Sequence, residues 1–395
     1  MNLIKHTIPT MILILFITSS LLCQTNSVLS ENNVKDSQGD KYVCISKEIY
    51  TKRTSENKKM IEIRGIYGSP VDFWEKGYDL AHLGVNAIFV RSRSINNEMI
   101  KRARAEGLQI FAEFATLNGT RYVENHPEAW PIDEQGKKVE PASWFMGICP
   151  TDSGFKHHKI NELRDLLKKF DLDGIWMDYL HWHAQFEEPV PILPETCFCA
   201  SCLSIFQAST GVALPEGNTS KKATWILNNH DSKWREWRCS VIAGWVQEFK
   251  KIIKEVKPNA ILGIFHCPWE DNEFDQARRR YLGIDYDMLR QDVDVFSPLV
   301  YHARMGRNVD WVEQNVTWLC QRLNIKVNTF PKIWPIVQSY NDPYVISADE
   351  FETVLRYGIS AQATGVMMFT SASTAEDEQK TEKMKQVYRE WLEED

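Results

Sequence analysis

Eight short apolar runs, each followed by a stretch of helical periodicity, recur along the chain and restrict its fold more than any other feature. They are Glu62–Tyr67, Ala87–Arg91, Gln109–Phe114, Gly174–Asp178, Ile261–His266, Val293–Tyr301, Lys332–Gln338 and Gly365–Phe369. Runs of this kind suit parallel strands covered on both faces, and their alternation with helices suits repeated βα units. Helices are expected at Asp72–Leu83, Asn96–Glu106, Lys156–Lys169, Ser240–Val256, Trp311–Leu323 and Ala348–Tyr357. Eight units spread over about 335 residues predict an α/β chain folded as a single (β/α)8 TIM barrel. A doubly wound sheet is the runner-up, but no G-x-G-x-x-G phosphate loop follows the first strand. Two connections exceed simple turns: Ala115–Thr151 after strand three and Tyr179–Arg235 after strand four. Long loops in a compact domain usually serve as lids or binding walls.

The N-terminus reads as a targeting segment. Lys5 and His6 precede an apolar run from Ile8 to Ile17, and Thr18, Ser19 and Ser20 follow. That is the order of a secretory signal, and the run is short for a bilayer span. Cys23 stands where a bacterial lipoprotein carries its acylated cysteine, whereas Leu22 occupies a position where a small residue is usual. Lipid anchoring and secretion both stay open. The chain therefore divides into a signal peptide at residues 1–23, a polar tether at 24–59 and a barrel domain at 60–395, with an extracytoplasmic location expected. The net charge of −7 argues against a nucleic-acid partner, which calls for basic excess. The 14 tryptophans, in contrast, offer flat platforms for an apolar ligand face as well as core material.

Active sites of a barrel form at the C-terminal ends of its strands. The polar residues there are Tyr67, Arg91, Glu113, Asp178, His266, Tyr301, His302, Gln338 and Thr370, with Glu270 and Asp342 just beyond. Asp178 closes the fourth run and enters Tyr179-Leu180-His181-Trp182-His183, so a carboxylate stands among aromatic rings. Such a group can attack or stabilise an anomeric carbon while the rings hold the sugar's apolar face. Capping the next segment or pairing with Arg91 is the plainer alternative. A glycosidase also needs a proton donor; Glu270 is the first choice, Glu113 the second and Asp342 the third. Tyr67, Arg91, Trp182, His266, Tyr301, His302 and Gln338 are expected to line the substrate site. The expected function is an exported glycoside hydrolase acting on an oligo- or polysaccharide, with no organic cofactor. The alternative is a non-catalytic carbohydrate-binding barrel. His181-x-His183 also fits the paired histidines of a metal-dependent amidohydrolase, but no candidate carboxylated lysine accompanies it.

The nine cysteines include the tight triplet Cys197-x-Cys199-x-x-Cys202. Spacing that close favours wrapping one zinc ion over pairing within the triplet. Cys149, which opens the segment leading into strand four, is the expected fourth ligand. Four sulfurs would close the site and make it structural; a disulfide or buried thiols are the alternatives.

Cys149-Pro150-Thr151-Asp152-Ser153, a helix, the strand ending at Asp178 and then the cysteine triplet followed by Leu203-Ser204-Ile205-Phe206 resemble the zinc-cysteine layout of family-42 glycoside hydrolases, the β-galactosidases. The resemblance covers about 60 residues and implies a structural zinc in a barrel. Where those enzymes carry an Asn-Glu pair on strand four, this chain has Asp178-Tyr179. The pattern Asp173-Gly174-Ile175-x-x-Asp178-Tyr179, preceded by His126-Pro127-Glu128-Ala129-Trp130 and Gly136, resembles instead hypothetical glycosyl-hydrolase-like barrels. That second resemblance implies an aspartate on strand four and a carbohydrate substrate.

Overall fold

The computed structural model describes residues 59–393 except 328, together with a two-residue strand pair joining Val34–Lys35 to Lys41–Tyr42. The expected signal peptide, Cys23 and nearly all of the tether lie outside the described residues. Residues 59–395 form one compact unit.

Eight parallel strand positions close into a ring. They are β1 (Ile63–Tyr67), β2 (Ala87–Arg91), β3 (Gln109–Ala115), β4 (Gly174–Asp178), β5 (Ile261–His266), β6 (Val295–Val300), β7 (the two pieces Lys332–Ile333 and Ile336–Gln338) and β8 (Gly365–Phe369). Each pairs with the next in chain order, and β8 returns to β1 through Phe369 opposite Tyr67. The eight expected strands are all present, and the ring is the (β/α)8 barrel their spacing implies. Every β-strand residue from Ile63 to Tyr67 is buried, as expected of a strand with the barrel interior on one side and helices on the other.

The helices agree with the pattern less evenly. Ser153–Lys169, Trp311–Arg322 and Ala348–Tyr357 lie close to their expected spans. The helix expected at Asp72–Leu83 is instead one turn, Val71–Trp74, because Gly77 adopts φ +83° and ends any continuation. The helix expected from Ser240 starts at Asp231, since Trp234 and Trp237 fall on its buried face and extend the packed stripe.

Inside the barrel, Phe89, Phe111, Trp176 and Trp334 form an aromatic floor. Phe89 and Phe111 stack at 4.8 Å, and Trp176 stacks on Trp334 at 5.6 Å. Trp176 lies across Gly263 of β5, where a Cβ would stand 2.1 Å from the indole. Its Nε1 donates to Ser297 Oγ at 3.0 Å. This floor fills the middle of the ring, so any ligand must enter from the end where Asp178 stands.

Candidate active site at the barrel mouth

One residue layer above the floor, a cavity of about 280 Å³ opens at the C-terminal ends of the strands. Its walls include Tyr67, Arg91, Asp178, Phe265, Leu299, Tyr301 and Phe369 from the strand ends, and Trp144, Tyr179, Glu187, Arg304 and Tyr340 from the loops. The volume falls just below the usual range for ligand pockets, roughly 300–1,000 Å³. Aromatic faces surround it: Tyr67 meets Phe265 at 5.1 Å and Phe369 at 4.9 Å, and Tyr301 stacks on Phe369 at 5.6 Å.

The chain turns sharply at Tyr179, whose φ of +54° is a left-handed value uncommon for a non-glycine residue. Consecutive strand residues point to opposite faces, so without such a bend Asp178 and Tyr179 would not share a wall. The bend also turns the Tyr179 N–H back onto Asp178 Oδ1 at 2.8 Å. Tyr179 then stacks on Phe145 at 5.4 Å and meets Trp144 edge-on at 5.6 Å.

Three carboxyl groups feel one another here. Burial pushes Asp178 up to about 6, against the pull of the Tyr179 N–H and Arg91. Glu187 is pushed up to about 7, first by burial and then by the Asp178 charge, with Arg304 opposing. Glu113, only 4 % exposed on β3, rises to about 8 through burial and the nearby Asp178. Glu113 pairs in register with Trp176 and Ala115 with Asp178, so Glu113 sits one layer below the Asp178 carboxylate. Like charges crowded in an apolar site cannot all ionise together, so the set holds protons at neutral pH.

Of the residues expected to form the site, Tyr67, Arg91, Asp178 and Tyr301 line the cavity, with Glu113 beneath it. Glu270 does not join them. It is half-buried beyond β5 beside Asp271, Glu273 and Arg307, and its backbone N–H donates to Glu273 Oε2 at 2.8 Å. Trp182 is fully buried, with Nε1 donating to the Arg238 carbonyl at 3.1 Å and the Arg238 guanidinium 4.8 Å over the ring. His266 faces outward from β5, donates Nδ1–H to the Cys267 carbonyl at 2.8 Å and is pushed down to about 3 by burial. His302 is engaged by Glu350 at 2.8 Å.

Gln338 lies under the wall rather than on it. Its Oε1 accepts from the Arg304 N–H at 3.1 Å, and its Nε2 donates to the carbonyls of Tyr340 and Asp342. Asp342 is ion-paired to Arg304, which also holds Glu188 at 2.6 Å. Among the described residues no group of three or more His, Cys, Asp or Glu side chains gathers around His181-x-His183. His181 bonds the Trp182 carbonyl, and His183 accepts from the Gly147 N–H and donates to the Glu140 carbonyl, clipping the two long loops together.

Glu187, Arg304, Trp144, Tyr340, Phe265 and Phe369 were not singled out by the sequence reading. Glu187 lies nine residues past the strand, where strand-end logic does not reach. Its only sequence signal is a carboxylate beside Ala184 and Phe186 in a loop already marked as too long. Phe265 and Phe369 are inward positions one residue from strand ends read as polar.

The four expected cysteines meet. Their sulfurs lie within 4.8 Å of one another, with Cys149 Sγ 3.7 Å from Cys199 Sγ and 3.4 Å from Cys202 Sγ. All four are free thiols, and these separations are far beyond a disulfide bond of about 2.05 Å. A tetrahedron with about 2.3 Å zinc–sulfur bonds has edges near 3.8 Å, so the cluster matches that geometry. Backbone N–H groups point at the sulfurs, from Ile132 to Cys197 at 3.3 Å and from Cys202 to Cys199 at 3.4 Å, as thiolate ligands require. The donor set fits a structural metal ion. With four protein sulfurs it would tie the end of the first long loop to the middle of the second and leave no coordination position for substrate.

No protein-family model matches the sequence, and no curated protein matches it. Solved structures do match. A β-galactosidase from the psychrophilic Marinomonas ef1 aligns at TM-score 0.60 and 10 % identity, over 82 % of this chain and 59 % of its own. The PgaB (BpsB) glycoside hydrolase domain from Bordetella bronchiseptica aligns at TM-score 0.61 and 10 % identity, over 82 % of this chain and 98 % of its own. An α-L-fucosidase isoenzyme from Paenibacillus thiaminolyticus aligns at TM-score 0.53 and 13 % identity, over 83 % of this chain and 49 % of its own. The chain thus has the barrel fold of these glycoside hydrolases and spans about half the length of the galactosidase and the fucosidase.

Proposed function

We propose that this protein is an exported glycoside hydrolase in which Asp178 and Glu187 form the working carboxyl pair. The observation that carries the reading is that both line one aromatic-walled cavity at the barrel mouth while their proton affinities are driven apart from those of free carboxyls. Asp178, with the lower of the two values and the support of Arg91 and the Tyr179 N–H, serves as the ionised nucleophile or stabilising carboxylate. Glu187, which keeps its proton near neutrality, serves as the acid that protonates the departing glycosidic oxygen. Glu113 stays neutral at physiological pH and positions Asp178 from below. The tyrosine and phenylalanine faces hold the apolar face of a sugar ring, and Arg91 and Arg304 offer donors to its hydroxyls. In this reading the substrate is a poly- or oligosaccharide, and the cysteine cluster holds a structural zinc that stiffens the loop bearing Glu187. The resemblance of the Asp178 segment to glycosyl-hydrolase-like barrels and the fold of the solved neighbours support the same reading.

The test is an assay of the wild type and Asp178→Asn on aryl glycosides and purified cell-wall polysaccharides, scored by new reducing ends. Wild-type cleavage that falls by about a thousandfold in the variant is the expected result. Binding without cleavage by either protein would instead identify a carbohydrate-binding barrel.

A further inference from the structure

Beside the catalytic cavity a second, larger cavity of about 460 Å³ lies between the end of β3 and the helices Thr120–Asn125 and Ser153–Lys169. Its lining contains no carboxylate, yet it carries Arg93, Arg121, Lys159, His126 and His158 in a chain whose net charge is −7. Some of those charges are already answered. Glu162 binds buried Lys159 at 2.8 Å and approaches His158 at 4.0 Å, and Glu128 meets His126 at 3.2 Å. Arg93 and Arg121 have no ion pair among the described residues and are exposed to the cavity side. Asn118, Thr120 and Asn125 add neutral polar groups, and Tyr122 offers a ring face stacked on His126 at 4.1 Å.

The two cavities share no lining residue but open at neighbouring strand ends. Ala115 of the second cavity is the register partner of Asp178, and the charges of Asp178, Lys159 and Arg93 all act on Glu113. A glycan with one residue over Asp178 that runs past Ala115 would bring its next residues to Arg93 and Arg121.

Resting on the glycoside hydrolase reading, we infer that this second cavity is a subsite for a negatively charged sugar, so the substrate is an acidic glycan bearing carboxylate or sulfate ester groups. Two guanidinium groups without carboxylate partners, set in a polar cavity next to the cleavage point, favour a planar or tetrahedral oxyanion over a neutral hydroxyl face.

Equilibrium binding by the full-length protein tests this, with Asp178→Asn in place to keep each glycan intact. Polygalacturonate is compared with its methyl-esterified form, and dextran sulfate with dextran. At least one charged glycan is expected to bind about tenfold more tightly than its neutral counterpart at low salt, since two exposed ion pairs contribute on that order. The preference should fade at about 0.5 M salt and vanish in Arg93→Gln/Arg121→Gln. A preference confined to polygalacturonate assigns a uronate, and one confined to dextran sulfate assigns a sulfate ester. Equal affinity within both pairs, or a preference that survives both substitutions, overturns the inference. Wild-type cleavage without a charge preference would remove only the subsite, whereas a charge preference without cleavage would remove only the hydrolase reading.

Discussion

At Tyr179 a single left-handed backbone angle decides which side chains can work together. Asp178 was legible from the sequence because it closes an apolar run, and the strand end is where this fold presents chemistry. Glu187, its proposed partner, was not legible, because it reaches the cavity from a long loop tied down by the His183 hydrogen bonds rather than from a strand end. Glu270 looked equivalent on paper, being a carboxylate just past a strand. Its surroundings of Asp271, Glu273 and Arg307 place it outside the cavity walls. Glu113 provides a sharp test. Its pKa is raised from the ordinary range to about 8, so between those values the folded chain holds a proton that the unfolded chain has released. Stability from this group is therefore complete at acid pH and is lost as pH rises toward 8. Glu113→Gln should flatten that slope, giving a larger gain in melting temperature at pH 8 than at pH 5. It should also cost much less activity at pH 7 than Asp178→Asn does.

Strands proved more readable than helices because the barrel buries them on both faces and leaves an unbroken apolar run. The helices are bounded by local devices such as Gly77, which a periodicity count passes over. The floor of rings was invisible in the sequence because Phe89, Phe111, Trp176 and Trp334 are far apart in the chain and meet only when the ring closes. Gly263 is the element that lets Trp176 lie flat. Gly263→Ala should cost about 1–3 kcal/mol, the usual cost of overpacking, read as a lower midpoint in urea unfolding. The meeting of Cys149, Cys197, Cys199 and Cys202, in contrast, was readable to the residue from their spacing. Purified protein should contain about one zinc per chain, and Cys202→Ser or a strong chelator should lower the melting temperature. Retention of full thermal stability after metal stripping would argue for plain buried thiols.

Across the whole molecule, the barrel from residue 59 onward stands as its own compact unit. A chain starting at Lys59 should unfold with the same midpoint as the full-length protein and keep its glycan binding. Among the described residues no helix is long and apolar enough to cross a membrane. Charge patterning also belongs to this level. The chain is acidic overall, yet Arg93 and Arg121, which have no ion pair among the described residues, gather beside the proposed active site, and no local stretch of sequence reveals this because they follow different strands.

The pairing of Asp178 with Glu187 is tested most directly by the pH dependence of kcat/KM for glycan cleavage, measured for the wild type and Glu187→Gln. A bell is expected in the wild type, rising near 6 as the carboxyl set loses the proton from Asp178 and falling near 7 as it loses the one on Glu187. In Glu187→Gln the rate should fall by about a hundredfold or more and the alkaline limb should disappear. An alkaline limb that persists unchanged in Glu187→Gln would show that another group delivers the proton and that this pair does not run the reaction.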